Sequence, residues 1–215
     1  KTYLFILQNS DELRPTGGFI GTYGLITLDA GHITSFFTDD VYNLDRLTPP
    51  ARRPLAPAPL ARYLEQSRWY LRDANWDPDF PSSAERILQF YKEESVYLPK
   101  DRIKSRPSSV LRPPSSGIDG VIAIMPEAIR PLLRMVGPLT VDGQTFTAEN
   151  LTEALEYEVE IGFEKKAIPR PQRKAIIAKL GQELIAQALA LPAERWGEVL
   201  GVVREALDEK HLLIY

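Results

Sequence analysis

The densest polar stretch of the chain is LRDANWDPDFP, in which Asp73, Asn75, Asp77 and Asp79 alternate. Oxygen-bearing side chains at successive odd positions open a calcium loop, because they wrap a hard cation from one turn of chain. The continuation departs from that pattern. Pro78 holds the position that wants glycine, and Ala84 the one that wants a bidentate acid. Capping of turns and of the following helix is therefore the favoured reading of these acids over an EF-type site. A magnesium ion shared with a ligand's phosphates needs fewer protein carboxylates. For such an ion Asp73 and Asp79 are the candidate ligands, and Asp73 and Asp77 the candidate catalytic carboxylates.

Arginines form the second group. Arg14 precedes Pro15 and the Gly17-Gly18 pair, so its loop is tight and exposes backbone donors. Arg72 begins the acid-rich stretch, and Arg170 and Arg173 stand three apart where a helix is expected to begin, which lets both face one side. Guanidinium groups bind phosphate in a bidentate manner and stay charged at physiological pH, and a helix start adds a favourable dipole. Taken singly, each reads as a surface arginine paired with one of the abundant acids. Taken together, Arg14, Arg72, Arg170 and Arg173 suggest a site for a phosphate- or pyrophosphate-bearing ligand.

Other chemistries lack their residues. There are no cysteines, so disulfides, thiolate catalysis and Cys-ligated zinc are excluded. The two histidines, His32 and His211, are not at a metal-ligand spacing and read as surface or structural. No P-loop, dinucleotide-binding glycine pattern or G-x-S-x-G elbow is present.

The elements that must position these residues begin with strands. Tyr3 to Leu7 is a continuous apolar run, the pattern of a strand buried on both faces. Phe19 to Leu28 reads as a long strand interrupted by Gly21 and Gly24. Asp29 to His32 is a hairpin connection into ITSFF. Five prolines in TPPARRPLAPAP make residues 48–59 an extended surface excursion, with a short helix expected over Leu60 to Tyr70. Ser82 and Ser83 are candidate N-caps for a helix over Ala84 to Glu94. Residues 104–117, rich in Pro, Ser and Arg, read as a second loop. IDGVIAIMP gives a strand stopped by Pro126, followed by a helix over Glu127 to Val136 kinked near Pro131. GPLTV is a short strand. Thr147 is a candidate N-cap for Ala148 to Phe163. Two more helices are expected, over Pro171 to Leu191 and Ala193 to Asp208, before a last apolar segment, Leu212 to Tyr215. This order predicts an α/β fold, a central mixed β-sheet flanked by helices, with residues 1–215 forming a single domain.

The bulk composition sets outer limits. With 44% hydrophobic and 26% charged residues in 215, the chain has the balance of a folded domain with a real core. A formal net charge of -3 gives no basic field for general nucleic-acid binding, so no nucleic-acid partner is expected. No apolar stretch approaches the roughly 20 residues that span a bilayer, and no signal peptide is visible. The chain starts at Lys1 and enters an apolar run at once, which reads as a piece cut from a longer protein.

Four blocks, NSDELRPTGGFIGTYG, LRDANWDPDFPSSAE, DGVIAIMPEAIRPLL and GPLTVDGQTFTAENL, together resemble the bacterial domain-of-unknown-function family numbered four thousand and twelve. Parents in that family look like envelope proteins with membrane segments ahead of this domain. The resemblance thus implies an extracytoplasmic domain of the cell envelope with a membrane-anchored parent. The order of elements also bears a remote resemblance to the LytR–CpsA–Psr ligases, which move wall glycopolymers from a polyprenyl-pyrophosphate carrier to peptidoglycan. IDGVIAIMPEAIRPLLRMVGPLTV is similar to their middle part, and RPQRKAIIAKL to their late R-x-x-R-Q motif, with Arg170 and Arg173 as its arginines.

Three positions depart from that pattern. Gly21 stands where the ligases carry a metal-binding Asp before Thr22, and Lys174 replaces the glutamine. The strand-end Arg-Asp becomes Asp39-Asp40 if TDDVYNLD is aligned there, or Arg72-Asp73 if LRDANW is. The likeness implies an αβα sandwich that binds a phosphate- or pyrophosphate-bearing, polyprenyl-linked ligand, with Mg2+ as cofactor and a phosphorylated lipid or cell-wall glycopolymer as partner. In a transferase, arginines and cation would stabilise the leaving pyrophosphate while a carboxylate deprotonates the acceptor. The departures favour a different class, a non-catalytic extracytoplasmic module that binds an envelope polymer or protein.

Overall fold

The computed structural model describes residues 1–98 and 117–215. A five-stranded mixed sheet occupies the centre, in the order β3-β2-β1-β4-β7. Its strands are β1 (Thr2–Asn9), β2 (Phe19–Asp29), β3 (His32–Asp40), β4 (Gly120–Ile124) and β7 (Leu212–Ile214). β1 pairs antiparallel with β2 and parallel with β4, β2 pairs antiparallel with β3, and β4 antiparallel with β7. β1, β3 and β4 therefore point the same way. The unbroken apolar run of β1 suits its place between two neighbours, where both faces are covered.

Helices lie on both faces, as the order of elements predicts. Leu4 and Ile6 of β1 join Tyr23, Leu25, Val121 and Ala123 in a core that continues into α1 (Val41–Asp45) and α3 (Phe80–Ser95) through Leu44, Ile87 and Phe90. Phe5, of opposite parity, lies on the other face, where its ring stacks on Phe36 at 5.1 Å. Gly24 of β2 sits directly across from Phe5, and a Cβ there would run into that ring and the Phe37 carbonyl. The glycine is the space the aromatic ring occupies. A second core gathers Leu133 of α4 (Pro126–Val136), Leu151 of α5 (Leu151–Tyr157), and Ile176, Leu180 and Leu184 of α7 (Ala175–Leu189). The small hairpin β5 (Leu139–Val141) and β6 (Gln144–Phe146) closes it.

Several boundaries differ from the sequence expectation. The helix expected over Leu60 to Tyr70 is α2 (Ala58–Tyr63). Glu65 turns out of it at φ 53, and Arg68 then bridges back to Leu55. The excursion 48–59 is more ordered than an extended loop, with a 3₁₀ turn at Pro50–Arg52 and with Arg53 buried. α3 starts at Phe80, and its cap is Asp79, which accepts from the Ser82 amide, rather than Ser82 or Ser83. Thr147 accepts from the amides of Glu149 and Asn150 at 3.2 Å, but helix begins only at Leu151. That helix passes through a π-helical turn, Glu158–Gly162, into α6 (Phe163–Lys165). The helix expected from Pro171 opens as a 3₁₀ turn, Arg170–Gln172, and becomes α only at Ala175. β6 was not expected at all. Asp142 at φ 48 and Gly143 at φ 81 form the tight turn that creates it. α4 runs through Pro131, and α8 (Trp196–Asp208) follows where expected. Apart from Gly117, the loop expected over 104–117 lies outside the described residues.

Candidate functional site

The strand directions bring the candidate residues to one edge. Where β1, β3 and β4 all end, the sheet carries the β1–β2 loop, Asp39 and Asp40, and the start of α4. Ligands of open α/β sheets bind outside these carboxyl ends. A buried amide cluster fixes the loop that holds Arg14. Asn75 Nδ2 donates to Gln8 Oε1 at 2.7 Å, Thr16 Oγ1 at 3.0 Å and the Gly18 carbonyl at 2.8 Å. Thr16 Oγ1 donates to Gln8 Oε1 at 2.7 Å. The cluster ties the β1–β2 loop to the acid-rich stretch, and so sets Arg14 beside Asp73.

Arg14 donates through Nε to Asp73 Oδ1 at 3.0 Å, and its Nη2 lies 2.9 Å from the same oxygen. Arg72, from the 3₁₀ turn Leu71–Asp73, places its Nε 3.6 Å from Asp73 Oδ2 and its Nη1 2.7 Å from Asp45 Oδ2. The same guanidinium lies 3.8 Å from the centre of the Tyr70 ring and 5.2 Å from that of Tyr42. Arg53 continues the chain of charges. Its Nη1 donates to Glu94 Oε1 at 2.7 Å, and its Nη2 to the Asp45 carbonyl. The Asp45 carboxyl accepts from the Leu71 amide at 3.2 Å and from Arg72, and Glu94 Oε2 is buried without a hydrogen-bond partner among the described residues. Burial, with the Asp45 charge second, pushes Glu94 up to about 8 against the pull of Arg53. Burial also raises Asp45, opposed by Arg72.

Asp77 and Asp79 do not join Asp73. Both are exposed. Asp77 Oδ1 accepts the Asp79 amide at 2.9 Å, and Asp79 Oδ2 accepts the Ser82 amide and hydroxyl at 3.0 and 2.7 Å. Those Ser82 bonds hold Asp79 below the usual carboxylate range. Among the described residues, no group of three or more His, Asp or Glu is placed to hold a metal ion.

The late arginines part company. Arg170 is exposed and Arg173 buried. Arg173 Nε donates to Asp40 Oδ2 at 3.0 Å and its Nη1 to Glu160 Oε1 at 2.7 Å. Lys174 Nζ lies 3.3 Å from Asp40 Oδ1 and donates to the Gly21 carbonyl. Burial lowers its pKa, and Asp40 opposes the shift. A Cβ on Gly21 would stand 3.3 Å from that ammonium, so a lysine charge fills the place beside Asp40 and Gly21. A cavity of ≈ 180 Å³ lies between the β5–β6 turn, the π turn and α7. Of the four arginines, Arg173 alone lines it. Its other charges are paired as well, Lys166 with Glu158 and Lys179 with Asp142, both at 2.7 Å.

Sequence reasoning missed Arg53, Asp45 and Glu94. Glu94 had a signal, since Ile87, Tyr91 and Glu94 follow helical spacing and share the buried face of α3. Arg53, amid prolines, had none.

A family model described as "Protein of unknown function (DUF4012)" matches residues 1–102 and 110–159. The chain belongs to that family. DUF4012 membership covers β1 to α5, which includes Arg14, Arg72 and the three acids, but stops short of Arg170 and Arg173. No curated protein matches the chain. The solved structure of the transcriptional regulator yvhJ from Bacillus subtilis is similar over 94% of this chain and 76% of its own, at 11% identity and a TM-score of 0.39. So distant a likeness carries nothing about activity. Among the described residues, no helix is long and apolar enough to cross a membrane.

Proposed function

We propose that this domain is a non-catalytic, extracytoplasmic binding module of an envelope protein, and that its charged residues serve first to hold the scaffold. One observation carries the reading: the groups a transferase would offer its substrate are spent on each other. Asp73 lies between Arg14 and Arg72 with 1% of its side chain exposed; Oδ1 accepts from Arg14, while Oδ2 stands 3.6 Å from Arg72 Nε and accepts no hydrogen bond among the described residues. Its oxygens face guanidinium groups where a catalytic base would face the acceptor hydroxyl. Arg173 is closed on Asp40 and Glu160, and Asp77 and Asp79 are turn and cap residues. The envelope setting rests on the sequence resemblance described above. The ligand class that fits it is an envelope polymer or protein.

A second reading, binding of a polyprenyl-linked phosphate with Mg2+, keeps one favourable observation. Arg14, Arg72, Arg173 and Lys174 all reach the same edge of the sheet, and Arg170 is exposed. One experiment separates the two. The purified domain is mixed with undecaprenyl phosphate and Mg2+ and followed by native mass spectrometry, and with the corresponding pyrophosphate and followed by phosphate release. No retained lipid and no release are expected. Lipid retained by the wild type and lost in Arg170→Ala, an exposed change that leaves the fold intact, would overturn the module reading. Co-sedimentation with purified wall glycopolymer is its positive counterpart.

A further inference from the structure

The proline-rich excursion belongs to a strongly basic stretch of the chain. Residues 46–72 carry six arginines against one acid, Glu65, although the whole chain has a formal net charge of -3. Two of the six are spent inside, Arg53 on Glu94 and Arg72 on Asp45, both at 2.7 Å. Arg68 Nη1 donates to the Arg53 carbonyl at 3.1 Å. Arg46, Arg52 and Arg62 are exposed and pair with no acid among the described residues. Residues 54–68 form a flap closed at its neck. Ala56 donates to the Ser67 carbonyl at 3.2 Å and Trp69 to the Pro54 carbonyl at 3.0 Å. Buried Leu60 pins the flap to the body, and buried Arg53 fixes its root. Most of the flap is exposed, and Leu55 (71%), Tyr63 (72%) and Leu64 (45%) stand in solvent. The Arg62 guanidinium lies 5.3 Å from the centre of the Tyr63 ring.

We propose that this flap docks the domain on a bilayer of anionic phospholipid, with Arg52 and Arg62 at the phosphates and Leu55 and Tyr63 in the layer beneath. Three observations carry the choice of partner. Free guanidinium groups beside exposed Leu and Tyr match the two layers of a membrane surface, phosphate above and acyl chain below. The rest of the chain is more negative than the chain as a whole, so an anionic surface repels it and turns the flap inward. An acidic peptide, by contrast, needs a groove or a free backbone edge to fix it. Pro54, Pro57 and Pro59 have no amide hydrogen, and the neck amides of Ala56 and Trp69 are already paired across the flap. A bilayer asks for neither groove nor edge. Docking of this kind is independent of what the module binds elsewhere.

The test is sedimentation of the domain with vesicles of phosphatidylcholine alone and of equal parts phosphatidylcholine and phosphatidylglycerol. Binding is expected only to the mixed vesicles, and is expected to weaken as salt is raised. One basic side chain near such a surface changes partitioning about fivefold, so Arg52→Gln combined with Arg62→Gln is expected to weaken binding about 25-fold. Leu55→Ser is expected to weaken it about tenfold. All three side chains are exposed, so the fold is retained. Glycerol phosphate at matched ionic strength carries the headgroup charge without acyl chains, and is expected to release no protein. Absence of binding to the mixed vesicles overturns the proposal, as does binding that the double arginine variant leaves unchanged. Loss in the arginine variant with none in Leu55→Ser would reduce the surface to a site for any polyanion, and release by glycerol phosphate to a phosphate site. Either result also overturns docking on a bilayer.

Discussion

At the scale of the residue, four polar side chains spaced two apart have divided fates, and the division is open to measurement. Asp73 and Asn75 point inward and carry buried hydrogen bonds, whereas Asp77 and Asp79 stay in solvent. Asp73→Ala leaves Arg14 and a second guanidinium facing an empty buried position. It is expected to lower unfolding stability by about 3 kcal/mol, the usual loss when one member of a buried pair is removed. Asp79→Ala removes an N-cap and is expected to cost about 1 kcal/mol. Asp77→Ala removes only an exposed turn acceptor, at a cost of about 0.5 kcal/mol. Urea titration of the three variants checks the order. A larger loss at Asp77 than at Asp73 would contradict the assignment of Asp73 as the scaffold's charge. The alternation was legible in the sequence, and capping was the correct reading for Asp79. The inward turn of Asp73 was not legible, because it depends on Arg14, 59 residues away.

At the scale of the element, the sheet was legible wherever apolar runs were long. β1, β2 and β4 announce themselves by unbroken or nearly unbroken hydrophobic stretches, and Asp29 to His32 by its turn residues. Elements set by contacts distant in sequence were not. α2 ends at Tyr63 because the chain must return for Arg68 to meet Leu55, and no local propensity near Leu64 records that demand. β6 is only three residues long, too short for alternation to show, although Asp142-Gly143 between Val141 and Gln144 carried the turn signal. Two glycines test these elements separately. Gly143→Ala forces a side chain onto φ 81 in open space and is expected to cost about 1 kcal/mol. Gly24→Ala drives a methyl into the Phe5 ring and the Phe37 carbonyl. Overpacking of this kind costs about 1–3 kcal/mol, and the rigid carbonyl places this site at the upper end. Thermal unfolding of both variants checks the ranking, since backbone strain alone would put Gly143→Ala first.

At the scale of the whole molecule, buried charge decides how stability follows pH. The chain has more acids than bases, and a carboxylate-rich protein usually loses stability in acid because its ion-paired acids are protonated. Glu94 works in the opposite sense. Its folded value of about 8 lies above the ordinary 4.5, so between those limits the folded state holds a proton that the unfolded state has released. Its stabilising contribution is complete below about 4.5 and declines as pH climbs to about 8, at up to ~1.4 kcal/mol per pH unit. Asp45, also raised, adds to the decline. Lys174 turns the curve the other way at higher pH. Burial depresses its pKa, so over the window just below 10.5 the unfolded chain binds the extra proton and stability rises with pH. The domain is thus expected to be more stable near pH 5 than near pH 8, as read from urea midpoints at about those values. Glu94→Gln, which fixes the protonated shape, is expected to flatten that limb while leaving the Lys174 limb in place. A wild-type midpoint that rises steadily from acid to neutral would show that Glu94 is ionised in the folded protein, as the partner of Arg53 at 2.7 Å.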